Sequence, residues 1–372
     1  MKIGIIGTRG IPNNYGGLEQ FAERVSVLLV KRGYEVLVYN PDFHPYKQNN
    51  YQGVTVIHKW SPEQKIGTAG NFIYDYLCLK DAIDRKCDIV LACGYTTQSI
   101  TYFVAPIHKT KLITNIDGME WWRSKYSATI RKLAKWFEKV AIEKSLALVS
   151  DNRGIEDYVQ ETFGLKSYFI PYGADKNDKV DESVLKQFNL EKYKYNIMIC
   201  RLEPENNIEV ILDGVALSKS PTKMYVAAGT NHKYAQYLIN KYKGVDKIVF
   251  LGWVSGQELL NNLRNFSALY FHGHSVGGTN PSLLEAMAGG AFIAAHGNKF
   301  NKHVLGDDAL YFMNAQEAAA VIDNFNTLNQ KRSTFVANNI HKIDTFYNWE
   351  NIADMYARMF EEVASGKMTY TC

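Results

Sequence analysis

The sequence lacks most of the short motifs that mark metal, disulfide or nucleoside-triphosphate chemistry. Its five cysteines form no Cys-x-x-Cys pair and no paired spacing, which is typical of reduced thiols and excludes a zinc ribbon or a disulfide framework. No Asp-x-Asp pair, Walker motif or Gly-x-Ser-x-Gly elbow occurs. The usual divalent-metal anchor, a P-loop and a hydrolase nucleophile are therefore not expected.

Long apolar runs and an excess of one charge are also missing. No stretch approaches the ~20 apolar residues that cross a bilayer, and the N-terminal Met1–Gly7 segment has the pattern of a strand and not of a signal peptide. A net charge of +4 over 372 residues gives no indication of nucleic acid binding. We expect a cytoplasmic protein, dissolved or peripheral on the inner face of the membrane.

Alternating strands and helices dominate the first half of the chain. Short apolar runs are followed by segments with helical spacing, which predicts a doubly wound parallel sheet. The predicted strands are 2–6, 36–39, 54–58, 89–92, 112–115, 146–150 and 167–170, and the main predicted helices are 17–32, 70–85, 126–144 and 155–163.

The pattern restarts after a polar stretch, Asp175–Glu182, that has the composition of a linker. A length of 372 residues suits two α/β domains. We expect domains at 1–172 and 173–349, with the C-terminal helical segment 350–372 joining the first, and a ligand in the cleft between them. The second set of predicted elements is 196–200, 208–217, 224–228, 232–242, 248–251, 257–264, 268–271, 281–288 and 291–295.

Residues 272–290, HGHSVGGTNPSLLEAMAGG, contain the most informative local pattern. Gly277 and Gly278 allow close approach to the backbone, and Asn280 with Pro281 begins an apolar helix. Free N–H groups and the helix dipole form an anion site at such a start. Glu285, one turn inside, suits ribose hydroxyls. Phosphate and sugar recognition together predict a nucleotide or nucleotide-sugar site.

Three other loops follow predicted strands and carry polar groups. Gly7–Glu19 has glycines with the wrong spacing for a dinucleotide fingerprint, so NAD(P) is not expected. Asp117 follows a strand and can bind sugar hydroxyls or take a proton, although an ordinary Asp-Gly turn is the alternative. Arg201 can grip a diphosphate, and the alternative is a surface salt bridge. His272 and His274 have no catalytic base or nucleophile partner that the sequence makes obvious, so a structural role is favoured.

The helix predicted at 126–144 is basic and amphipathic. Such a helix can lie on anionic lipid, or it can simply present a solvated face over a buried stripe. The sequence leaves both interpretations open.

Taken together, the GTRGIPNNYGGLEQF, NIDGMEWWRSK, IPYGAD, RLEPENN and HGHSVGGTNPSLLEAMAGG stretches resemble the retaining GT-B glycosyltransferases of family 4. They look most similar to a bacterial branch that includes β-1,4-rhamnosyltransferases of cell-wall and capsular polysaccharide assembly. The resemblance implies a GT-B fold, which has two Rossmann-like doubly wound domains facing a cleft.

The resemblance also implies roles for individual residues. Arg201 would hold the diphosphate and Glu285 the nucleotide ribose, and base contacts would come from the main chain around 251–255. Two positions depart from the family pattern. Gly277 stands where the first of two glutamates is usual, and Asn206 stands where a diphosphate-binding lysine is usual. The Asn115–Gly118 segment replaces the histidine common elsewhere in the family.

These observations predict metal-independent transfer of a hexose or deoxyhexose, L-rhamnose in this branch, from a nucleotide-diphosphate sugar such as dTDP-L-rhamnose. The acceptor would be a saccharide, linked to a polyprenyl diphosphate. The expected catalytic residues are Asp117 and Arg201. The expected donor-binding residues are Gly17, Asn206, Gly277, Gly278, Thr279, Asn280 and Glu285. The expected acceptor-binding residues are Arg9, Tyr15, Glu19, Glu120, Trp121 and Arg123.

Two alternatives remain open from the sequence. A nucleotide-sugar epimerase of the same shape would need acid and base carboxylates around the sugar, and Gly277 weakens that interpretation. A non-catalytic nucleotide-sugar-binding partner of another transferase is compatible with the two departures from the family pattern. The presence of Arg201, Glu285 and Asp117 favours an enzyme.

Overall fold

The computed structural model describes residues 1–123, 126–177 and 179–369. The chain divides into two compact units. Unit 1 contains Met1–Tyr172 and the C-terminal segment from Trp349, and unit 2 contains Gly173–Asn348. Each unit is built on its own sheet.

The sheet of unit 1 has eight strands in the order β3-β4-β2-β1-β5-β6-β7-β8. Strands β1, β2 and β4 to β8 pair in parallel, and their apolar side chains are buried because helices flank such a sheet. The strands are β1 (Lys2–Ile6), β2 (Glu35–Pro41), β3 (Asn50–Tyr51), β4 (Val54–Lys59), β5 (Ile89–Cys93), β6 (Lys111–Ile116), β7 (Ala147–Ser150) and β8 (Tyr168–Phe169).

Strand β3 is an antiparallel edge strand that the sequence pattern did not predict. Gln52 and Gly53, with φ values of 48° and 90°, form the two-residue connection to β4. Two residues with positive φ are what a tight hairpin requires. A two-residue strand is too short for the alternation of side chains to be recognisable.

The helices of unit 1 follow the apolar periodicity of the sequence. Predicted and observed limits agree within two residues for the four helices predicted at 17–32, 70–85, 126–144 and 155–163. The α-helices are α1 (Gly17–Lys31), α2 (Glu63–Ile66), α3 (Ala69–Asp84), α4 (Ala128–Lys144) and α5 (Arg153–Phe163), and 3₁₀ helices span Ser99–Phe103, Ile107–Lys109 and Glu120–Trp122.

The C-terminal helix Trp349–Ser365 packs on α1 in unit 1. Phe21 lies 5.2 Å from Tyr356, measured between ring centroids. Arg32 donates to Asp354 at 2.7 Å and to Glu350 at 2.9 Å. Burial of its apolar stripe therefore fixes this distant segment to the first unit.

The sheet of unit 2 has six strands in the order β11-β10-β9-β12-β13-β14, and all its described pairings are parallel. The strands are β9 (Tyr195–Ile199), β10 (Lys223–Ala227), β11 (Ile248–Gly252), β12 (Leu269–His272), β13 (Ile293–His296) and β14 (Leu310–Phe312). The α-helices are α6 (Ile208–Leu217), α7 (Lys233–Lys241), α8 (Gln257–Asn265), α9 (Pro281–Ala288), α10 (Lys299–Leu305), α11 (Ala315–Asp323), α12 (Phe325–Leu328) and α13 (Arg332–Thr345), and the helix at Trp349–Ser365 is α14. Further 3₁₀ helices span Glu182–Phe188, Pro204–Asn206 and Asn329–Lys331.

The core of unit 2 lies between this sheet and its helices. Helices α6 and α11 approach closely at Gly214, where a Cβ atom would lie 2.6 Å from Ala318 Cβ. The sequence pattern predicted α6 and α9 with the observed limits, but it made no prediction for residues 296–348, which form β14 and helices α10 to α13. Except for α13, which has 14 residues, those segments are short, so their periodicity is weak.

The architecture confirms the predicted fold class, two α/β units with doubly wound parallel sheets. Within the described residues, no helix has the length and apolar character needed to cross a bilayer.

Candidate functional site

The strand order of unit 2 creates a crevice between β9 and β12. The chain leaves β9 towards β10 and β11 on one side, and later continues from β12 on the other side. Loops that follow β9 and β12 therefore diverge at their carboxyl ends, which is where doubly wound sheets bind ligands. Arg201 lies in the first of these loops, and Gly273–Asn280 forms the second.

Hydrogen bonds join these two loops. The Asn207 amide donates to the Gly273 carbonyl oxygen at 2.7 Å and to Ser275 Oγ at 2.8 Å. The Ser275 N–H donates to the Glu205 carbonyl oxygen at 3.0 Å. A Cβ atom on Gly273 would lie only 1.9 Å from the Asn206 carbonyl oxygen, so a glycine is required for this approach.

Asn206 is held within the protein at both ends of its amide. Its Nδ2 donates to the Arg201 carbonyl oxygen at 2.7 Å, and its Oδ1 lies 2.8 Å from His274 Nδ1. Because an amide oxygen can only accept, His274 carries its proton on Nδ1. This side chain was expected to bind the donor; in the structure it contacts the Arg201 main chain and the His274 ring. The sequence contained no signal that His274 has this partner.

Arg201 follows β9 and its guanidinium is exposed, with no hydrogen bond or ion pair to any described residue. The alternative of a surface salt bridge therefore finds no support in the described part of the chain. On the other side of the crevice, Gly277 has φ = 94° and is buried. Asn280 caps α9 by accepting from the Ser282 N–H at 2.9 Å. Gly278 and the buried Thr279 complete the loop.

Glu285 lies on the first turns of α9 and forms an ion pair that the sequence did not indicate. Its Oε2 accepts from Arg264 Nη2 at 2.8 Å, while Arg264 is only 1% exposed. Arg264 also donates to Asn261 and Ser282. Oε1 of Glu285 has no described hydrogen-bond partner, and the side chain is 20% exposed. A fixed carboxylate with one open oxygen suits paired hydroxyl groups.

Trp253 lies at the same edge of the sheet, beyond the end of β11. Gly252 and Ala227 are partners in the β11–β10 ladder, and Ala227 is aligned with Ile199 of β9. The Trp253 side chain is 77% exposed and its Cε3 lies 3.8 Å from where a Cβ of Gly229 would be. The indole thus lies close to Gly229, and most of the side chain is open to solvent.

In unit 1, the corresponding switch in strand order falls between β1 and β5. The loop after β1 brings three expected acceptor residues together. The Arg9 N–H donates to Glu19 Oε1 at 2.8 Å, and the Arg9 guanidinium lies 3.9 Å from the centre of the Tyr15 ring. Glu63, which the sequence analysis missed, forms an ion pair with Arg9. Gly17 is the first residue of α1.

Asp117 follows β6 and lies near Gly94, the residue that follows β5. A Cβ on Gly94 would lie 3.5 Å from Asp117 Oδ1, so the glycine leaves the carboxylate open on that side. Burial raises the pKa of Asp117 to about 7, and the nearby charge of Glu120 adds to the increase while Arg123 opposes it. The side chain can therefore exchange a proton near neutral pH.

The loop from Asp117 to Arg123 is fixed by the buried Glu138 of α4 and by Tyr95. Glu138 accepts from Trp121 Nε1 at 3.0 Å and from Tyr158 OH at 2.6 Å. Tyr95 OH donates to the Gly118 carbonyl oxygen at 3.0 Å and accepts from the Glu120 N–H at 2.9 Å.

The side chains of the expected acceptor residues in this loop are thus partly engaged. Trp121 donates its indole N–H to Glu138, and Arg123 Nη2 donates to Glu120 Oε1 at 2.6 Å. Glu138 and Tyr95 were missed because they lie far from the loop in sequence.

Two family models match parts of the chain. Residues 180–342 match the model of the family Glycosyl transferases group 1. Residues 1–175 match a domain of unknown function, DUF1972. No curated protein matches the chain.

Solved structures of similar fold cover nearly the whole chain. Sucrose-phosphate synthase from Thermosynechococcus elongatus is 14% identical with a TM-score of 0.79, over 98% of this chain and 99% of that one. HepE of Anabaena, solved in complex with UDP, is 14% identical with a TM-score of 0.72, over 97% of this chain and 100% of that one.

A trehalose-6-phosphate protein from E. coli, bound with UDP-2-fluoro glucose, is 11% identical with a TM-score of 0.72, over 98% of each chain. These likenesses show a shared GT-B fold. The chain therefore has the GT-B fold, and its residues 180–342 match the Glycosyl transferases group 1 family.

Proposed function

We propose that this protein transfers a hexose or deoxyhexose from a nucleotide-diphosphate sugar to a saccharide acceptor, with retention and without a metal ion. The arrangement at the β9–β12 crevice carries this proposal. It combines an unpaired Arg201 guanidinium, the glycine-rich start of α9 and a carboxylate fixed by Arg264. The cation and the free N–H groups suit a diphosphate, and the carboxylate suits the ribose hydroxyls.

The bound donor would be held mainly by unit 2. Arg201 and the Gly277–Asn280 backbone would contact the diphosphate, and Oε1 of Glu285 would accept from the ribose hydroxyls. Asn206 would act indirectly, because its amide already orients Arg201 and His274. Structures of HepE with UDP and with UDP-glucose support a nucleotide-sugar donor for this fold.

The reaction would form a bond between an acceptor oxygen and the anomeric carbon while the bond from that carbon to the diphosphate breaks. Attack on the face of the departing phosphate retains configuration, and the acceptor proton passes to a phosphate oxygen. Arg201 and the loop N–H groups stabilise the charge that develops on the diphosphate. This route needs no protein nucleophile.

Unit 1 would bind the acceptor through the residues around Arg9 and the Asp117 loop. Asp117, Glu19 and Glu63 are carboxylates that can accept from sugar hydroxyls, and the exposed Tyr15 ring offers a stacking surface. Asp117, whose pKa lies near neutrality, would orient the acceptor hydroxyl while its proton passes to the phosphate.

The donor sugar and the acceptor carrier rest on the sequence resemblance. We propose L-rhamnose from dTDP-L-rhamnose, transferred to a polyprenyl-diphosphate-linked saccharide in capsule or cell-wall assembly. This places the enzyme in the cytoplasm, peripheral on the inner face of the membrane.

Thermal-shift measurements with UDP, dTDP, GDP and their sugars test the donor. A ligand that binds only the native state adds about 2.7 kcal/mol to the free energy of unfolding at a hundredfold excess over Kd, and this raises the melting temperature. We expect a selective shift with dTDP and dTDP-rhamnose. A shift with UDP- or GDP-sugars would replace the donor, and no shift with any nucleotide would contradict the proposed function.

Arg201→Ala tests the mechanism. We expect the variant to fold normally, because Arg201 has no described side-chain partner, and to lose at least about a hundredfold in kcat through lost charge stabilisation. Arg85→Ala, an exposed arginine of unit 1, is the control. Unchanged turnover in Arg201→Ala would remove this residue from the mechanism.

A further inference from the structure

Six large apolar side chains are exposed together on unit 1, and we refer to them as the apolar docking surface. Four of them are Phe103 (54% exposed), Val104 (69%), Leu133 (48%) and Trp136 (44%). The others are Ile100 and Ile130. Contiguous exposed apolar patches are rare on soluble proteins unless they bind something.

Two elements form this surface. Ile100 and Phe103 lie in the 3₁₀ helix Ser99–Phe103, which packs against α4. Ile130, Leu133 and Trp136 are spaced by three residues and so share one side of α4. The Phe103 and Trp136 rings stack with centroids 6.1 Å apart and planes 10° from parallel, which joins the two elements into one patch.

Basic side chains border the apolar docking surface. Helix α4 exposes five basic side chains and one acidic side chain, Glu143. Lys144 Nζ lies 5.3 Å from the centre of the Phe103 ring, so a cation sits beside the apolar group that would be buried. The exposed basic residues of α4 are Arg131, Lys132, Lys135, Lys139 and Lys144.

We propose that this surface inserts into the interface of an anionic lipid bilayer. Phe and Trp rings suit the headgroup level, lysines can keep their charge at the lipid phosphates while their stems stay apolar, and each basic residue near such a surface contributes attraction. A second copy of the chain fits less well, because a symmetric contact would bring the basic faces of two α4 helices together.

The surface adjoins the loop assigned to the acceptor. Lys135 Nζ lies 4.8 Å from the centre of the Trp121 ring. Trp121 in turn donates a hydrogen bond to Glu138 on the buried side of α4. Docking there would bring the Asp117 loop to a lipid-linked acceptor. The inference deepens the proposed function, yet its test needs neither donor nor acceptor.

Vesicle co-sedimentation separates apolar insertion from simple charge attraction. The wild-type chain is compared with Phe103→Ser/Val104→Ser and with Lys132→Glu/Lys139→Glu on phosphatidylcholine vesicles with and without phosphatidylglycerol. Leu217→Ser, which removes a 57%-exposed leucine from unit 2, is the matched control.

We expect wild type and control to bind the anionic vesicles and to bind neutral vesicles at least tenfold more weakly. The Phe103→Ser/Val104→Ser variant should bind anionic vesicles roughly tenfold more weakly than wild type, because two exposed apolar groups can no longer be buried. The Lys132→Glu/Lys139→Glu variant should lose the preference for anionic lipid. The thermal shift with nucleotides should be unchanged in every variant, which separates this inference from the donor assignment.

If the Phe103→Ser/Val104→Ser variant bound anionic vesicles as tightly as the wild-type chain, the proposed insertion of this surface would be wrong. A dimer in gel filtration that the same variant dissociates would also contradict it, since the patch would then be an interface between copies. If the wild-type chain bound neither anionic nor neutral vesicles, the proposal would also be refuted.

Discussion

The ion pair of the buried Arg264 with Glu285 allows a quantitative test of how the Glu285 carboxylate is held. In Arg264→Met the apolar stem is kept and the charge is removed, so Glu285 Oε2 loses its 2.8 Å donor and Asn261 Oδ1 loses its 3.0 Å donor. Breaking a fully buried ion pair costs about 3–5 kcal/mol. Glu285 is 20% exposed and can regain some water.

We therefore expect Arg264→Met to lower the free energy of unfolding of unit 2 by about 2–3 kcal/mol. For a domain of this size the melting temperature should fall by about 5–10 °C. Arg85→Met removes an arginine that is 46% exposed and paired with Asp81, and this control should cost less than about 1 kcal/mol.

A double-mutant cycle with Glu285→Gln isolates the interaction. We expect a coupling energy of about 1–3 kcal/mol between the two positions, measured by urea unfolding. We also expect Arg264→Met to weaken binding of the nucleotide, although Arg264 is buried, because Glu285 is no longer oriented. Single effects that add within about 0.5 kcal/mol would refute the reasoning, as would nucleotide affinity equal to that of wild type.

Three further predictions follow from the same structure. Gly273→Ala should destabilise unit 2 by at least about 1–3 kcal/mol, because its Cβ would lie 1.9 Å from the Asn206 carbonyl oxygen. The control is Gly16→Ala, in which the new methyl meets only Glu19 at 3.4 Å. Equal losses of unfolding free energy in the two variants, measured with urea, would contradict this prediction. The raised pKa of Asp117 means that the folded state binds its proton more tightly than the unfolded state, so stability falls as pH rises from 3.8 to about 7. Asp117→Asn should therefore unfold like wild type below pH 3.8 and be the more stable protein above pH 7; a difference that does not change with pH would refute the assigned burial. Trp253→Ala should weaken nucleotide binding roughly tenfold by removing a stacking surface, while Trp253→Phe keeps most of it. Titration by intrinsic fluorescence, with the exposed Trp60→Phe of unit 1 as control, would refute this if Trp253→Ala bound as wild type.

Sequence periodicity predicted most of the regular structure, because buried strands and amphipathic helices leave their pattern in the order of residues. Helices α6 and α9 were predicted with the observed limits. The hairpin at Gln52–Gly53 and most elements after residue 296 have too few residues to establish a period and were missed, as was the longer helix α13.

The loops of the candidate site were recognised for a similar reason. Glycines, a capping Asn280 and the charged Arg201 occur beside strand ends, and their local chemistry is visible in the sequence. Their partners were not visible. Arg264 lies 21 residues before Glu285, and Glu138 lies 17 residues after Trp121, so neither pairing follows from helical or strand spacing.

By itself, the sequence determined the α/β class, the glycine-rich, Asn280-capped start of α9 and the basic character of α4, because these depend on neighbours in the chain. Only the tertiary structure decided that Asn206 supports Arg201 and His274, that Arg264 fixes Glu285, and that Phe103 joins Trp136 in one exposed surface. The physical reason is that sheet order and helix packing bring these groups together, and contacts between residues distant in sequence carry no local pattern.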